Sequence, residues 1–206
     1  AKNVKVVTNG YDHEDFIDFK SIDTNKFIIG HYGIMNHLRN PSNFWNALND
    51  LCEENLEFNE KLEIRLSGNI DNNIINEINS YSNLSSKLVL LGYLSHKEVL
   101  EEYSKANLLL LLLFNSKSGQ GNYPGKIFEY FAAKKTIIAF GPEKSDVKKL
   151  LENGYGLFHN YNDKCEKIKE NILAVFKGEI SVKLVEDGKF SRKHLTNKLV
   201  DLLEKL

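Results

Sequence analysis

The chain has 206 residues, 42% of them hydrophobic and 27% charged, and a formal net charge of −1. That balance suits a globular protein with a sizeable core and excludes a general nucleic-acid surface; Lys and Arg are scattered, so no polybasic membrane patch forms either. Cys52 and Cys165 lie far apart, outside any Cys-x-x-Cys pattern and each on the apolar face of a predicted helix, and read as buried free thiols in a reducing compartment.

The chain begins at Ala1-Lys2 without methionine or signal peptide, which suggests processing or a piece of a longer protein. Val4 to Val7 reads as a short strand ended by Thr8-Asn9-Gly10, and residues 11–20 as a loop with a helical turn. Lys26 to Gly33 is a strand running into a glycine turn. Pro41 then opens a helix whose apolar residues, Phe44, Trp45, Leu48, Leu51, Cys52 and Leu56, repeat at helical spacing. Leu62 to Gly68 is a second full strand, Ile74, Ile75 and Ile78 mark a helix, and Leu88 to Gly92 is the next strand. Ser95 and Glu98 form a predicted capping box ahead of Val99, Leu100 and Tyr103.

Leu108 to Phe114 is an apolar run too short to span a bilayer and flanked by Asn107 and Asn115, so it reads as a buried strand. A glycine-rich loop follows, Gly119-Gln120-Gly121-Asn122-Tyr123-Pro124-Gly125, then a short helix starting near Pro124 and a strand over Thr136 to Phe140. A helix through Val147, Leu150 and Leu151, a short strand over Gly154 to Phe158, and a helix with Cys165, Ile168, Ile172 and Val175 on one side come next. An irregular connection over 177–190 leads to a last amphipathic helix with Leu195, Leu199, Leu202 and Leu206. Strands alternating with helices from residue 26 to about 160 predict an α/β fold, a Rossmann-like doubly wound parallel sheet, in one domain over 1–206. Ligands in such folds sit beyond the carboxyl ends of the strands, where Gly33, Gly68, Gly92 and the 119–125 loop would gather.

The stretch from Gly119 to Tyr130 carries the chemistry. A strand, a glycine loop and a helix start make an anion site, with Lys126 in the first turn and Glu129 on the same face. A cation for phosphate beside a carboxylate for sugar hydroxyls suits a nucleotide-sugar. Known phosphate loops fit poorly. In a Walker A pattern Gln120 stands where the first glycine belongs, and Ile127 replaces the magnesium-binding hydroxyl. The dinucleotide fingerprint G-x-G-x-x-G finds Pro124 at its third glycine and comes too late in the chain. No Asp-x-Asp or His/Cys/Asp cluster has metal spacing, so no protein-bound metal is expected.

Pro124-Gly125-Lys126-Ile127-Phe128-Glu129-Tyr130-Phe131-Ala132-Ala133-Lys134-Lys135-Thr136-Ile137-Ile138-Ala139 resembles the donor-site signature P-x-K-x-x-E-Y-x-A-x-G-K-P-I-I-A of two-lobed, Rossmann-like (GT-B) glycosyltransferases of the family-4 type. Leu90 to Leu100 resembles that family's "flGyv…el" segment, and Val6-Val7-Thr8-Asn9-Gly10-Tyr11-Asp12 its "v-x-N-G-v-D" segment, which opens the carboxyl-terminal lobe. The resemblance covers roughly residues 4–160. It implies that Lys126 contacts the donor diphosphate, Glu129 binds the ribose hydroxyls, and Gly33 lies near the reacting phosphate. Arg39 is a looser match to a second diphosphate cation. Tyr93 and Leu94 match the base-reading segment, which acts through backbone. Gly121, Asn122, Tyr123, Pro124 and Gly125 form the loop that would lie against the donor. Two cations can stabilise a departing nucleoside diphosphate without a metal.

Three positions depart from the pattern. Gly121 stands where the family's E-x7-E has its first acid, Lys134 where glycine is common and Thr136 where proline is common. The family's acceptor lobe precedes the N-G-v-D segment, so the chain is expected to be a donor-binding lobe whose amino-terminal lobe is absent. The resemblance implies a nucleoside-diphosphate-sugar donor as substrate with no cofactor, a saccharide or lipid-linked acceptor reached through the absent lobe, and no nucleic-acid partner. It implies polysaccharide or glycoconjugate synthesis in the cytoplasm, with the full-length protein peripheral at the membrane's inner face where the acceptor is a lipid. Two alternatives stay open: a non-catalytic nucleotide-binding or protein-interaction module, and a lobe of a sugar-nucleotide epimerase. Without the glycine loop, Lys126 and Glu129 would be an ordinary surface pair worth about 0.2–0.5 kcal/mol. His31 and His37 are assigned no role.

Overall fold

A computed structural model describes residues 4–180, 182–186 and 188–205. Six strands form one sheet: β1 (Phe27–Tyr32), β2 (Leu62–Ser67), β3 (Leu88–Gly92), β4 (Leu108–Leu112), β5 (Thr136–Gly141) and β6 (Leu157–Asn160). Their spatial order is β3-β2-β1-β4-β5-β6, and every neighbouring pair is parallel. The chain winds outward from β1 in one direction, returns, and winds outward from β4 in the other. That reversal leaves a crevice at the carboxyl ends of β1 and β4.

The crossovers are α1 (Ser42–Glu54) and α2 (Leu56–Lys61), α3 (Asn72–Ser80), α4 (His96–Lys105), α5 (Lys126–Ala132) and α6 (Asp146–Leu151); α7 (Cys165–Phe176) and α8 (Arg192–Leu203) complete the chain. The central strands are buried on both sides, which is why the leucine run shows no alternation. Leu108, Leu110 and Leu112 face α1, α2, α3 and α7, packing with Phe44, Trp45, Phe58, Ile78 and Ile172. Leu109, Leu111 and Leu113 face α4, α5 and α6, packing with Tyr103, Ile127, Phe128 and Val147. The sheet is thus doubly wound, as the alternation of elements predicts. The capping box of α4 forms as expected: Ser95 Oγ accepts from Glu98 N, and Glu98 Oε2 accepts from Ser95 N at 2.7 Å.

Four expectations change. Val4 to Val7 is not a strand; Val4 and Val6 are 72% and 71% exposed. Both flanks of β1 are already taken by β2 and β4, so the segment does not pair beside β1. Instead it leads to Gly10, packed under Phe190 and Leu195, and to a Tyr11–Ser191 bridge. The first helix stops at Asn55, whose side chain accepts from Phe58 N and starts α2, leaving Leu56 exposed rather than on the apolar face. The last strand runs Leu157–Asn160, later than its glycine-led sequence suggests. In α8 only Leu195 is buried; Leu199, Val200 and Leu203 face solvent. Leu206 lies outside the described residues, as do Ala1 and Lys2.

Cys52 is buried and Cys165 half-buried, and both are free. Burial pushes each thiol up to about 11, so neither is a ready nucleophile. Among the described residues no helix is long and apolar enough to cross a membrane, and no cluster of His, Cys, Asp and Glu could hold a metal ion.

Candidate functional site

The crevice between β1 and β4 holds a cavity of about 320 Å³, lined by the strand ends and by the start of α5. Gly33, Arg39, Pro124, Gly125 and Lys126, all singled out from sequence, share it with His31, Ile34, Leu111, Leu112 and Tyr130. Gly33 follows β1 directly, and its N–H donates to Ser67 O at 2.7 Å, which fixes the turn to β2. A Cβ on Gly33 would collide with Lys126 Nζ, so the missing side chain is the space in which the ammonium sits. Burial lowers the pKa of Lys126; Glu129 nearby opposes the shift and Arg39 adds to it.

Arg39 stacks its guanidinium 3.9 Å from the centre of the Phe114 ring and donates from Nη1 to Ile34 O at 3.3 Å. Its Nε, although buried, has no partner. His31 is buried at the end of β1, with Nδ1 3.0 Å from Leu110 O. A carbonyl only accepts, so Nδ1 carries the proton and Nε2 is left as a bare acceptor, without a partner. Burial brings the His31 pKa down from 6.5 to about 4, and the Lys126 and Arg39 charges pull the same way against the Leu110 and Ile34 carbonyls. Tyr130 Oη is fully buried and also unpartnered. These three atoms, one donor from arginine, one acceptor from histidine and one hydroxyl, are the unsatisfied buried side-chain groups among the described residues, and all belong to residues lining this cavity. Buried polar atoms are normally paired, so their concentration here marks a place for a polar ligand.

Glu129 lies one turn beyond Lys126. It directs its carboxylate at α4, where Tyr103 Oη donates to Oε2 at 3.0 Å. The glycine loop is built differently from its sequence expectation. Gly119 is buried because a side chain there would strike the Phe114 carbonyl, so its smallness serves packing rather than ligand approach. Gly121 is exposed with open space around its Cβ position. The loop is pinned to α6 by Asp146 N donating to Gln120 O at 2.9 Å and by Tyr123 Oη donating to Asp146 O at 3.0 Å. Asn122 is half-buried within it.

Tyr93 and Leu94, after β3, are not cavity residues. Tyr93 is 92% exposed, while Leu94 is half-buried against the core cluster on the α4 and α5 side of the sheet. His37 is exposed in a short turn before α1. Sequence reasoning missed His31, Tyr130 and Tyr103. The only local hint was a histidine inside an apolar strand, and its significance depends on Leu110, 79 residues away.

No protein-family model matches the sequence, and no curated protein matches it either. The fold is shared widely. Over 98% of its length the chain superposes on 56% of a glycosyltransferase from Rickettsia africae ESF-5, with 16% identity and a TM-score of 0.70. All of it superposes on 53% of a sucrose-phosphate synthase from Thermosynechococcus elongatus, with 13% identity and a TM-score of 0.72. The chain has the fold of one GT-B glycosyltransferase lobe. It spans about half the length of those two proteins. The lobe also matches a C-terminal domain of a group 1 family glycosyl transferase from Francisella tularensis; 95% of this chain covers 97% of that one, with 12% identity and a TM-score of 0.60.

Proposed function

We propose that this GT-B lobe binds the nucleoside-diphosphate-sugar donor of a glycosyltransferase. The observation that carries the reading is the convergence of Lys126, Arg39 and three unpartnered buried polar atoms on one cavity at the switch point of the sheet. Two cations on the lining of a cavity that includes no Asp or Glu suit a diphosphate, which carries charge on both phosphorus centres. Glu129, next to Lys126 on α5, is the acceptor for the ribose hydroxyls. The backbone at Tyr93 and Leu94 is the base-reading edge, and the loop over Gly121 to Gly125 closes over the sugar. A saccharide or lipid-linked saccharide is the acceptor, presented by a second lobe. The full protein works on the cytoplasmic side, at the membrane's inner face when its acceptor is a lipid, in polysaccharide or glycoconjugate synthesis.

A second reading, a nucleotide-binding module without turnover, draws on Gly121. Open space surrounds the position where an acid could have held the donor sugar. Both readings put a nucleotide in the cavity, and they separate on the sugar. Equilibrium titrations of the chain with UDP, GDP and ADP and their sugar conjugates test this. Saturable binding of one nucleoside diphosphate and tighter binding of its sugar conjugate support the donor lobe. Binding of the nucleotide with no gain from any sugar favours the second reading. No binding by any of them at millimolar concentration overturns both.

A further inference from the structure

The Glu129 carboxylate is held from behind. Tyr103, on the buried face of the crossover helix α4, donates its phenol to Oε2 at 3.0 Å. The tyrosine ring has no freedom to leave. It is completely buried, and two further tyrosines meet it in T-shaped contacts, Tyr32 with ring centres 5.3 Å apart and Tyr130 at 5.2 Å. Burial first, then the neighbouring Tyr130 and Glu129, raise the phenol's pKa far above its ordinary value, so it remains a donor at every working pH.

We infer that Tyr103 is a positioning residue that locks the Glu129 carboxylate in one orientation for a vicinal diol. A carboxylate has two oxygens and about four acceptor sites. One site on Oε2 is filled by the phenol, which stops the carboxylate rotating and leaves Oε1 and the outer face of Oε2 side by side. Two adjacent hydroxyls on one ring, as on a ribose, can each donate to one of those oxygens. Glutamate alone would have to give up the freedom of its three side-chain torsions on binding; with Tyr103 in place that ordering is already present in the free protein. The inference rests on the reading of Glu129 as the ribose contact. It adds that the preference for ribose depends on a residue 26 positions earlier in the chain that touches no ligand.

The test uses whichever of UDP, GDP and ADP binds tightest, together with its 2′,3′-dideoxy analogue, titrated into wild type, Tyr103→Phe and Glu129→Ala. Phenylalanine keeps the T-shaped packing and removes only the donor. The expected result is a loss of about 3- to 10-fold for the ribonucleotide in Tyr103→Phe, the worth of one ordering hydrogen bond. The dideoxy analogue is expected to bind wild type and Tyr103→Phe equally. Equal losses for both ligands, or no loss for either, would overturn the inference and leave Tyr103 a packing residue. If Glu129→Ala retained the full preference for ribose, Glu129 itself would not be the ribose contact, and the inference would fall with that reading.

Discussion

The ammonium of Lys126 occupies the space that a side chain at Gly33 would need. Gly33 lies on the loop after β1 and Lys126 at the start of α5, the helix that follows β4, so their contact bridges the point where the sheet reverses direction. Glycine at 33 is therefore a condition for the cation's position. Gly33→Ala would push the end of a flexible lysine aside, which is mechanically easy. The expected outcome is a melting temperature close to wild type and nucleoside diphosphate affinity lower by about tenfold or more, since one charged contact is misplaced. Thermal melts and titrations on the same preparation check both halves.

Gly68 shows the opposite behaviour. Its φ is +103°, and a Cβ there would run into the carbonyl of Gly33. Backbone cannot yield as a lysine tip can. Gly68→Ala is expected to destabilise the fold by about 1–3 kcal/mol, from a strained backbone region together with a clash. Urea unfolding of the two alanine variants side by side would show a large loss at 68 and a small one at 33.

Burial lowers the pKa of Lys126, so the folded state holds that charge at a cost. Its removal is therefore expected to leave stability unchanged or raised. Lys126→Met should melt no lower than wild type while binding nucleoside diphosphate more weakly, the combination of a residue kept for a ligand rather than for the fold. A melting temperature several degrees lower would make it a structural residue.

His31 gives a pH signature. Its folded pKa of about 4 lies below the unfolded value of 6.5, so the unfolded chain takes up a proton that the folded one refuses. Stability is complete above 6.5 and falls as pH drops toward 4, by roughly 3 kcal/mol from this residue. His31→Gln, which keeps a hydrogen-bonding side chain without the titration, should flatten that slope. The NMR shift of the His31 ring proton on Cε1 should stay nearly constant from pH 8 to 6, through the range where an ordinary histidine titrates, and move only as pH approaches 4. His159 is also buried with a lowered pKa, so the comparison with the variant isolates the share of His31.

The parts of this fold that could be read from sequence are those whose signals are local. The leucine run, the capping box at Ser95 and Glu98, and the helix through Phe44 to Cys52 carry their pattern within a few residues. Lys126 and Glu129 were visible for the same reason, being neighbours on one helix. Val4 to Val7 had a strand's composition but pairs with no strand, and which strands stand side by side is a property of the whole sheet. Leu56 kept helical spacing, yet the Asn55 side chain offered the backbone a competing cap. Tyr103, His31 and Tyr130 were illegible because each owes its role to partners brought close by the crossovers. A histidine facing a carbonyl 79 residues away has no sequence signature.

We propose the cavity between β1 and β4 as a diphosphate site organised by Lys126. The direct measurement is a calorimetric titration of one nucleoside and its mono- and diphosphate into wild type and Lys126→Ala, at fixed salt. In wild type, affinity should rise with each phosphate. In Lys126→Ala the diphosphate should bind roughly 10- to 100-fold more weakly, the worth of one charged hydrogen bond, while the nucleoside is unaffected. Undiminished diphosphate binding in Lys126→Ala would place the nucleotide elsewhere on the lobe and overturn the assignment of this cavity.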